Sequence, residues 1–341
     1  MKKRILAVIL ACALTLAVAA GCGSNEESKS NEAKSTADSA AKTDITFVLD
    51  WTPNTNHTGV YVAKEKGYFA DAGINVEVVQ PPEDGAEALV SSGKAQFGVS
   101  FQDYLVPLVA GDTKAPVEAV AALVQHNTSG IISLTDKNIK TPKDLEGKNY
   151  ATWELPIEQA TLKRVVEADS GDFSKVNLIP ETVTDEVSAL QAGKIDAIWI
   201  FYGWAGIACE QAKLKTNYFA FKDIDPVFDF YTPVVVGNSD WMKKNPDIAK
   251  KFLSALKKGY EFAIDHPSDA ADILLKNAPE LDKNLVKASQ EYLSKNYKAE
   301  VEQWGYIDPA RWNAFYNWIN ENKLSDATIP ENAGFTNDYL E

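Results

Sequence analysis

Short β-branched runs alternate with longer amphipathic stretches from Ile45 onward, and this rhythm limits the chain to α/β folds. In the first series, runs at 45–49, 75–79 and 96–99 enclose amphipathic stretches at 60–66 and 86–92. A second series repeats the order between residues 149 and 201. Strands that are separated by helices form parallel pairs, because the helix carries the chain back across the sheet. The sequence therefore predicts two mostly parallel sheets wrapped by helices.

One supersecondary unit occurs in both series. Residues 88–99 and 189–199 each read as a helix end, then Gly93-Lys94 or Gly193-Lys194, then a buried strand. Glycine suits the left-handed position after a helix, and lysine suits the helix C-terminus. Chance recurrence of a helix–glycine–strand junction is the alternative. About 300 residues exceed one usual core, so we predict one lobe from 44–131 plus 236–341, covered by C-terminal helices, and another from 132–235.

The N-terminus has the order of a secretory signal. Lys2, Lys3 and Arg4 precede an uncharged apolar run at 5–20, which is too short to be a confident membrane-spanning helix. Small residues then lead to Cys22, as in the lipobox of bacterial lipoproteins. We predict a signal peptide at 1–21, a lipidated Cys22 and a disordered tether over 22–43, which has no aromatic residue. An ordinary signal peptide with a chance cysteine is the alternative.

The net charge argues against nucleic acid and anionic lipid as partners, and the cysteine content argues against an internal disulfide. The net charge of −14 opposes nucleic acid and anionic lipid as partners, so membrane attachment is expected through the lipid only. Cys12 leaves with the signal and Cys22 carries lipid, which leaves Cys209 without a partner for an internal disulfide. The expected product is a monomeric, lipid-anchored, extracytoplasmic body.

Candidate ligand residues follow the predicted strands, because ligands of open parallel sheets bind beyond the carboxyl ends of the strands. The segments combine aromatic, amide and carboxylate side chains, which suits a flat, neutral or weakly basic heteroaromatic ligand. The candidates from these segments are Asp50, Trp51, Asn54, His57, Ser100, Gln102, Asn127, Glu154, Glu158 and Tyr202.

Each candidate also has a purely structural interpretation. Trp51 and Tyr202 are interpreted as site residues in preference to core residues, which is the alternative for both, and the alternative for Glu154 is a solvated loop carboxylate. The dipole of the following helix is a sufficient reason for Glu158. His57 is also explained as a hydrogen-bonded histidine rather than a titrating base.

The scarcity of arginine and the absence of known enzyme and metal motifs limit the kinds of ligand and reaction that the sequence supports. Outside the signal the chain has only Arg164 and Arg311, so anionic ligands, which the arginine fork commonly binds, are disfavoured. The sequence has no nucleophile elbow, phosphate loop or paired-cysteine metal motif, and its three histidines have no ligand-spaced partners. We predict no catalytic residue, metal or cofactor.

The run from Asp50 to Phe69, DWTPNTNHTGVYVAKEKGYF, resembles the binding proteins of ABC transporters for thiamine precursors. Similar stretches are found at 93–100, 125–130, 142–148 and 228–233. The resemblance implies a type-two periplasmic binding-protein fold, whose two lobes are joined by two crossing strands. It implies formylaminopyrimidine or hydroxymethylpyrimidine as ligand, an ABC permease with its ATPase as partners, and Tyr231 as a further ligand residue.

A eukaryotic branch of the same resemblance, thiamine pyrimidine synthase, is enzymatic. It consumes a histidine at the position matching His57 and depends on a cysteine-rich iron-binding run. Here the matching run, Phe228 to Thr232, contains no cysteine. Other possible interpretations are riboflavin, nitrate or sulfonate binding, an extracellular enzyme, or a structural lipoprotein with a disused cleft.

Overall fold

The computed structural model describes residues 42–111 and 114–341. The predicted signal peptide, Cys22 and nearly all of the predicted tether lie outside the described residues. The first strand begins at Thr43, the last residue assigned to that tether.

The ten strands of the described region form two five-stranded sheets. In the first sheet the strand order is β2-β1-β3-β10-β4, and in the second it is β7-β6-β8-β5-β9. The strands are β1 Thr43–Val48, β2 Ile74–Val79, β3 Phe97–Ser100, β4 Val117–Ala122, β5 Ser129–Leu134, β6 Asn149–Thr152, β7 Asn177–Pro180, β8 Ala197–Phe201, β9 Thr216–Ala220 and β10 Val234–Asn238.

Each sheet is mixed, and the reason is the path of the chain between them. β1 pairs in parallel with β2 and β3, as β6 does with β7 and β8, through helical crossovers. β10 and β5 instead enter their sheets from the opposite sheet, and they run antiparallel to both of their neighbours. The parallel pairs thus belong to the βαβ units that the sequence predicts, and the antiparallel pairs to the crossings.

Helices pack around the sheets and form most of the C-terminal part. Within the described ranges, no helix is both long and apolar enough to cross a membrane. The helices are α1 Thr58–Glu65, α2 Tyr68–Asp71, α3 Gly85–Ser91, α4 Val106–Val109, α5 Pro156–Ala168, α6 Glu186–Ala192, α7 Ile207–Gln211, α8 Phe221–Ile224, α9 Ser239–Lys244, α10 Pro246–Asp265, α11 Pro267–Asn277, α12 Lys283–Ser294 and α13 Pro309–Glu321.

The duplicated unit of the sequence has the same local structure in both sheets. α3 precedes β3 and α6 precedes β8, and each helix is followed by a glycine with a positive φ, 73° at Gly93 and 69° at Gly193. A side chain is strained in this left-handed conformation, whereas glycine adopts it freely. The predicted helix–glycine–strand pattern is confirmed at both positions.

Aromatic stacking fills the core between the first sheet and its helices. Phe252 of α10 stacks on Phe97 of β3 with 4.1 Å between ring centroids, and on Phe69 of α2 at 5.2 Å. All three rings are buried. The second sheet has a smaller aliphatic cluster, which includes Ile198 and Cys209.

Two segments, 123–128 and 221–233, join the sheets, and a polar network connects them. Nδ1 of His126 lies 2.6 Å from Oδ2 of Asp229, and Nη1 of Arg311 on α13 lies 3.1 Å from the same oxygen. Nη2 of Arg311 donates to the Gln125 side chain at 3.1 Å, and the guanidinium stacks over Tyr231 at 4.1 Å. α13 therefore holds the two crossing segments together.

The strands of the first sheet come from residues 43–122 and 234–238, and those of the second from 129–220. The predicted lobe limits, 44–131 plus 236–341 and 132–235, place their boundaries inside β5 and β10. The assignment of residues to the two lobes by these limits stays a prediction.

Candidate functional site

Four loops follow the carboxyl ends of strands and form the candidate site; we call them the cleft loops. They are residues 49–57 after β1, 101–105 after β3, 153–158 after β6 and 202–206 after β8. The rings of Phe101 and Phe201, from opposite sheets, stack with centroids 5.9 Å apart. The loops of the two sheets therefore approach each other, as expected for a cleft between them.

Large apolar side chains are exposed in these loops. Trp51, Tyr104, Trp153 and Leu155 are between 37% and 46% exposed. Trp51 and Tyr104 belong to the first sheet's loops, and Trp153 and Leu155 to those of the second. Large apolar side chains exposed on loops of both sheets are typical of a surface that a ligand covers.

Asp50 is oriented by a buried histidine. Nδ1 of His57 accepts a hydrogen bond from the backbone N–H of Asn54 at 3.1 Å, so the ring proton is on Nε2. Nε2 donates that proton to Oδ1 of Asp50 at 2.6 Å. His57 is fully buried. The pair therefore holds a carboxylate at the carboxyl end of β1 and leaves the other oxygen, Oδ2, without a donor among residues 42–111 and 114–341.

Carboxylates surround Tyr104. Partial burial, and then the negative charges of Asp103, Glu87, Asp50 and Glu158, raise the pKa of Tyr104 to about 12. Burial also raises the pKa of Asp103 to about 7, against the opposing effect of backbone hydrogen bonds. Asp50 and Glu158 come from loops of different sheets, so this acidic group spans the two walls.

Glu158, by contrast, is hydrogen-bonded to nearby residues of β6 and the loop that follows it. It is buried at the start of α5 and accepts hydrogen bonds from the Tyr150 and Thr152 hydroxyls, both at 2.9 Å, and from the Trp153 backbone N–H. Glu154 is exposed, has a φ of 61°, and bonds through its N–H to Thr152. Glu158 fixes the loop, whereas the carboxylate of Glu154 faces solvent.

Most of the remaining candidate side chains are buried and already hydrogen-bonded to other groups of the protein. Asn54 caps the turn at 55–57, Ser100 donates to Glu87, and Tyr202 donates to Glu210. Gln102 accepts from the Tyr231 backbone N–H at 2.9 Å and donates to the Trp312 carbonyl at 2.9 Å. These side chains shape the walls.

The crossing segments hold the other two candidates. Asn127 donates to the Phe228 carbonyl at 2.8 Å and accepts from Ser129 at 2.7 Å. The Tyr231 hydroxyl bonds to Arg311 and to the Asp308 N–H. Both side chains therefore join the segments between the sheets.

Sequence reasoning missed Glu87 and did not select Asp103, Tyr104 or Trp153 as site residues. The last three stand in segments that directly follow strands, so their position was a usable signal. Glu87 lies in the first turn of α3, beyond a loop, and only the tertiary contact with Ser100 brings it to the site.

Residues suited to metal or redox chemistry do not assemble here. In the ranges that the structure describes, no three His, Cys, Asp or Glu side chains are grouped to hold a metal ion. Cys209, the free cysteine of those ranges, is buried, and burial raises the pKa of its thiol to about 11.

Comparison with known proteins identifies relatives over most of the chain. A formylaminopyrimidine-binding protein of Halalkalibacterium halodurans is 28% identical over 95% of this chain and 97% of its own. A 4-amino-5-hydroxymethyl-2-methylpyrimidine phosphate synthase of Saccharomyces cerevisiae is 25% identical over 87% of both chains.

The fold is that of periplasmic binding proteins. An alkanesulfonate-binding protein of Xanthomonas axonopodis pv. citri matches 86% of this chain and 97% of its own with a TM-score of 0.63, at 13% identity. The predicted type-two α/β fold is confirmed. Residues 54–270, more than half of the sequence, match the family described as NMT1/THI5 like, and the chain therefore belongs to that family.

Proposed function

We propose that this protein is the extracytoplasmic solute-binding component of an ABC importer. It captures a thiamine-precursor aminopyrimidine, formylaminopyrimidine or hydroxymethylpyrimidine, and delivers it to the permease. Similarity to a formylaminopyrimidine-binding protein and to periplasmic binding proteins supports the solute-binding role. The observation that carries the proposal is the cleft itself, where the loops of both sheets carry exposed aromatic rings and carboxylates.

An aminopyrimidine matches this surface chemically. Its two flat faces suit stacking between Trp51 of one wall and Trp153 of the other. Its exocyclic amine, next to a ring nitrogen, is a donor that suits the free oxygen of Asp50. A carboxyl group such as Asp103, with a pKa near 7, supplies either a donor or an acceptor at neutral pH.

The two arginines of the described ranges argue against nitrate and sulfonate. Arg311 is bonded to Asp229, Gln125 and Tyr231 in the crossing network. Arg164 pairs with Asp225 at 2.9 Å on the surface. Neither guanidinium lies in a cleft loop, so an anion entering the acidic site would meet repulsion.

Enzymatic synthesis of the pyrimidine is the second candidate, because curated relatives carry that activity by name. Both ring nitrogens of His57 are already bonded, to Asn54 and Asp50. Mass spectrometry of the peptide that contains His57 separates the two functions. An intact histidine in protein from thiamine-starved cells is expected; an altered one would support the enzyme.

Binding is tested by calorimetric titration of both aminopyrimidines into the purified protein. Trp51→Ala and Trp153→Ala should each weaken binding by about 1–2 kcal/mol, or about 5- to 30-fold in Kd, through lost stacking and apolar burial. Tyr306→Ala is the control, since Tyr306 is equally exposed but lies outside the cleft loops. Unchanged affinity in both tryptophan variants would contradict the assignment of Trp51 and Trp153 as stacking residues. A parent protein that binds neither compound would contradict the assignment of an aminopyrimidine as the ligand.

Membrane attachment is tested separately. We expect Cys22→Ser to release the protein from membranes or to leave the signal peptide uncut, because the lipid is added to that thiol. Fractionation and intact-mass measurement follow both outcomes. A processed and still membrane-bound Cys22→Ser protein contradicts lipid anchoring.

A further inference from the structure

Helix α12, one of the C-terminal helices, lies against the turn that follows β8 of the second sheet. The second sheet therefore contacts the C-terminal helices directly, in addition to its connection to the first sheet through the crossing segments. The turn, Tyr202–Gly206, is a short π-helix. A Cβ built on Gly203 would lie 2.8 Å from Cδ2 of Leu293 on α12. The adjacent Trp204 packs against the core of the first sheet and its helices. A side chain at position 203 would therefore have to displace the Leu293 side chain of α12.

A relay of hydroxyl groups crosses this contact. The Ser289 hydroxyl of α12 donates to the Gly203 carbonyl. It also bonds to the Thr55 hydroxyl. A hydroxyl has one hydrogen, so Thr55 must be the donor to Ser289. Both side chains are fully buried, and breaking either bond leaves a buried polar group without a partner.

The first group of the relay belongs to a turn that carries the candidate site. Thr55 opens the turn 55–57, whose His57 orients Asp50. The Tyr297 hydroxyl, just beyond α12, donates to the Thr55 carbonyl at 2.5 Å, and the Tyr260 hydroxyl donates to the Asn56 carbonyl at 2.7 Å. The turn at 55–57 is thus held by the C-terminal helices, and Ser289 joins it to the opposite wall.

We propose that Ser289 is the positioning residue of a latch between the two walls of the cleft. The latch consists of Thr55, Ser289 and Gly203, and it is complete only when the walls are together. Opening the cleft separates Gly203 from α12 and exposes a hydroxyl and a carbonyl that lose their partners. The latch therefore stabilises the closed arrangement and slows ligand release. This inference rests on the proposed function where it takes the cleft as the ligand site.

The distance between the walls tests the latch without any ligand. Spin labels at Glu83→Cys and Thr184→Cys report on the loops after β2 and β7, in a background where Cys12 and Cys22 are both replaced by Ser and the buried Cys209 is not labelled. We expect the parent to populate a short distance by pulsed electron resonance. Ser289→Ala should shift this population towards longer distances, and Gly203→Val, which forces a side chain against Leu293, should shift it further.

Ser133→Ala is the matched control. Ser133 is also buried and donates to a backbone carbonyl, that of Ile139 at 3.2 Å, but both residues belong to the second sheet's lobe. It should lower the melting temperature much as Ser289→Ala does, yet leave the distance unchanged. Circular dichroism confirms folding, and Gly203→Ala replaces Gly203→Val if the latter does not fold.

Release of hydroxymethylpyrimidine, measured by stopped flow, provides the second readout. Loss of one buried hydrogen bond that is made only in the closed state should speed dissociation about five- to tenfold in Ser289→Ala. Unchanged distances and unchanged release in both latch variants would refute the latch. A distance change in a protein that binds no aminopyrimidine would instead refute the proposed ligand and leave the latch standing.

Discussion

Gly259→Val should lower the stability of the fold by about 3 kcal/mol or more, because α1 and α10 cross in backbone contact at this position. A Cβ at Gly259 would lie 2.1 Å from the Gly59 carbonyl oxygen and 2.9 Å from Cβ of Ala63. The obstacle is backbone and not the end of a flexible side chain. The helices must therefore separate, and the stacked aromatic core beneath them must loosen.

The melting temperature measures this effect, with an expected fall of about 5 °C or more for a chain of this size. Lys258→Val is the control, since it places the same β-branched residue at the neighbouring, exposed position of α10. It should cost less than about 0.5 kcal/mol. Equal melting temperatures for the two variants would mean that the helices do not approach so closely.

Arg311→Ala should destabilise the protein by about 3 kcal/mol, because it removes one partner from the half-buried network that joins the crossing segments. The guanidinium contacts Asp229, Gln125 and the ring and hydroxyl of Tyr231. Its loss leaves Asp229 with His126 as its cationic partner. Arg164→Ala is the control, since that ion pair is 56% exposed on the arginine side and should contribute less than about 1 kcal/mol.

The effect of Arg311→Ala should depend on pH. The hydrogen bond to Asp229 raises the pKa of His126, although its burial opposes this. Burial raises the pKa of Asp229, but the His126 bond, the Asn127 N–H and both cations outweigh it and lower that pKa. The His126 contribution is complete below its unfolded pKa, about 6.5, and is lost as the pH rises through the higher folded value.

The deficit of Arg311→Ala should consequently be smaller at pH 5.5, where protonated His126 still pairs with Asp229, than at pH 8.5, where it does not. Melting temperatures of the parent and the variant across this range measure the difference. A deficit that is the same at both pH values would mean that His126 and Arg311 do not share Asp229.

Local structure was predictable because it depends on neighbours in the chain. The helix–glycine–strand units at Gly93 and Gly193 have the expected left-handed glycines. Proline at the start of α10, α11 and α13 is a local signal of the same kind, because its missing N–H would have no partner in a first turn. The mixed character of the sheets was not predictable in this way, because β5 and β10 enter from the other sheet and no local pattern records that direction.

In the candidate site, too, the local features were predictable from the sequence and the tertiary contacts were not. Trp51 and Asp50 follow a strand and do lie in a cleft loop, as their position indicates. Gln102, Asn127 and Tyr231 also follow or precede strands, yet each is bonded to residues far along the chain. A sequence position tells that a polar side chain is near a strand end, but not whether the protein already satisfies it.

By itself, the sequence determined the α/β class, the repeated unit, the family resemblance and the aromatic and acidic composition of the strand ends. Tertiary structure alone decided which of those groups are free. It paired His57 with Asp50, brought Glu87 to Ser100, enclosed Glu158 among hydroxyls and placed Ser289 between Thr55 and Gly203. The physical reason is the sequence distance over which each interaction acts. Helix and strand formation depend on adjacent residues, whereas burial and hydrogen bonding depend on groups brought together across as many as 242 positions of sequence.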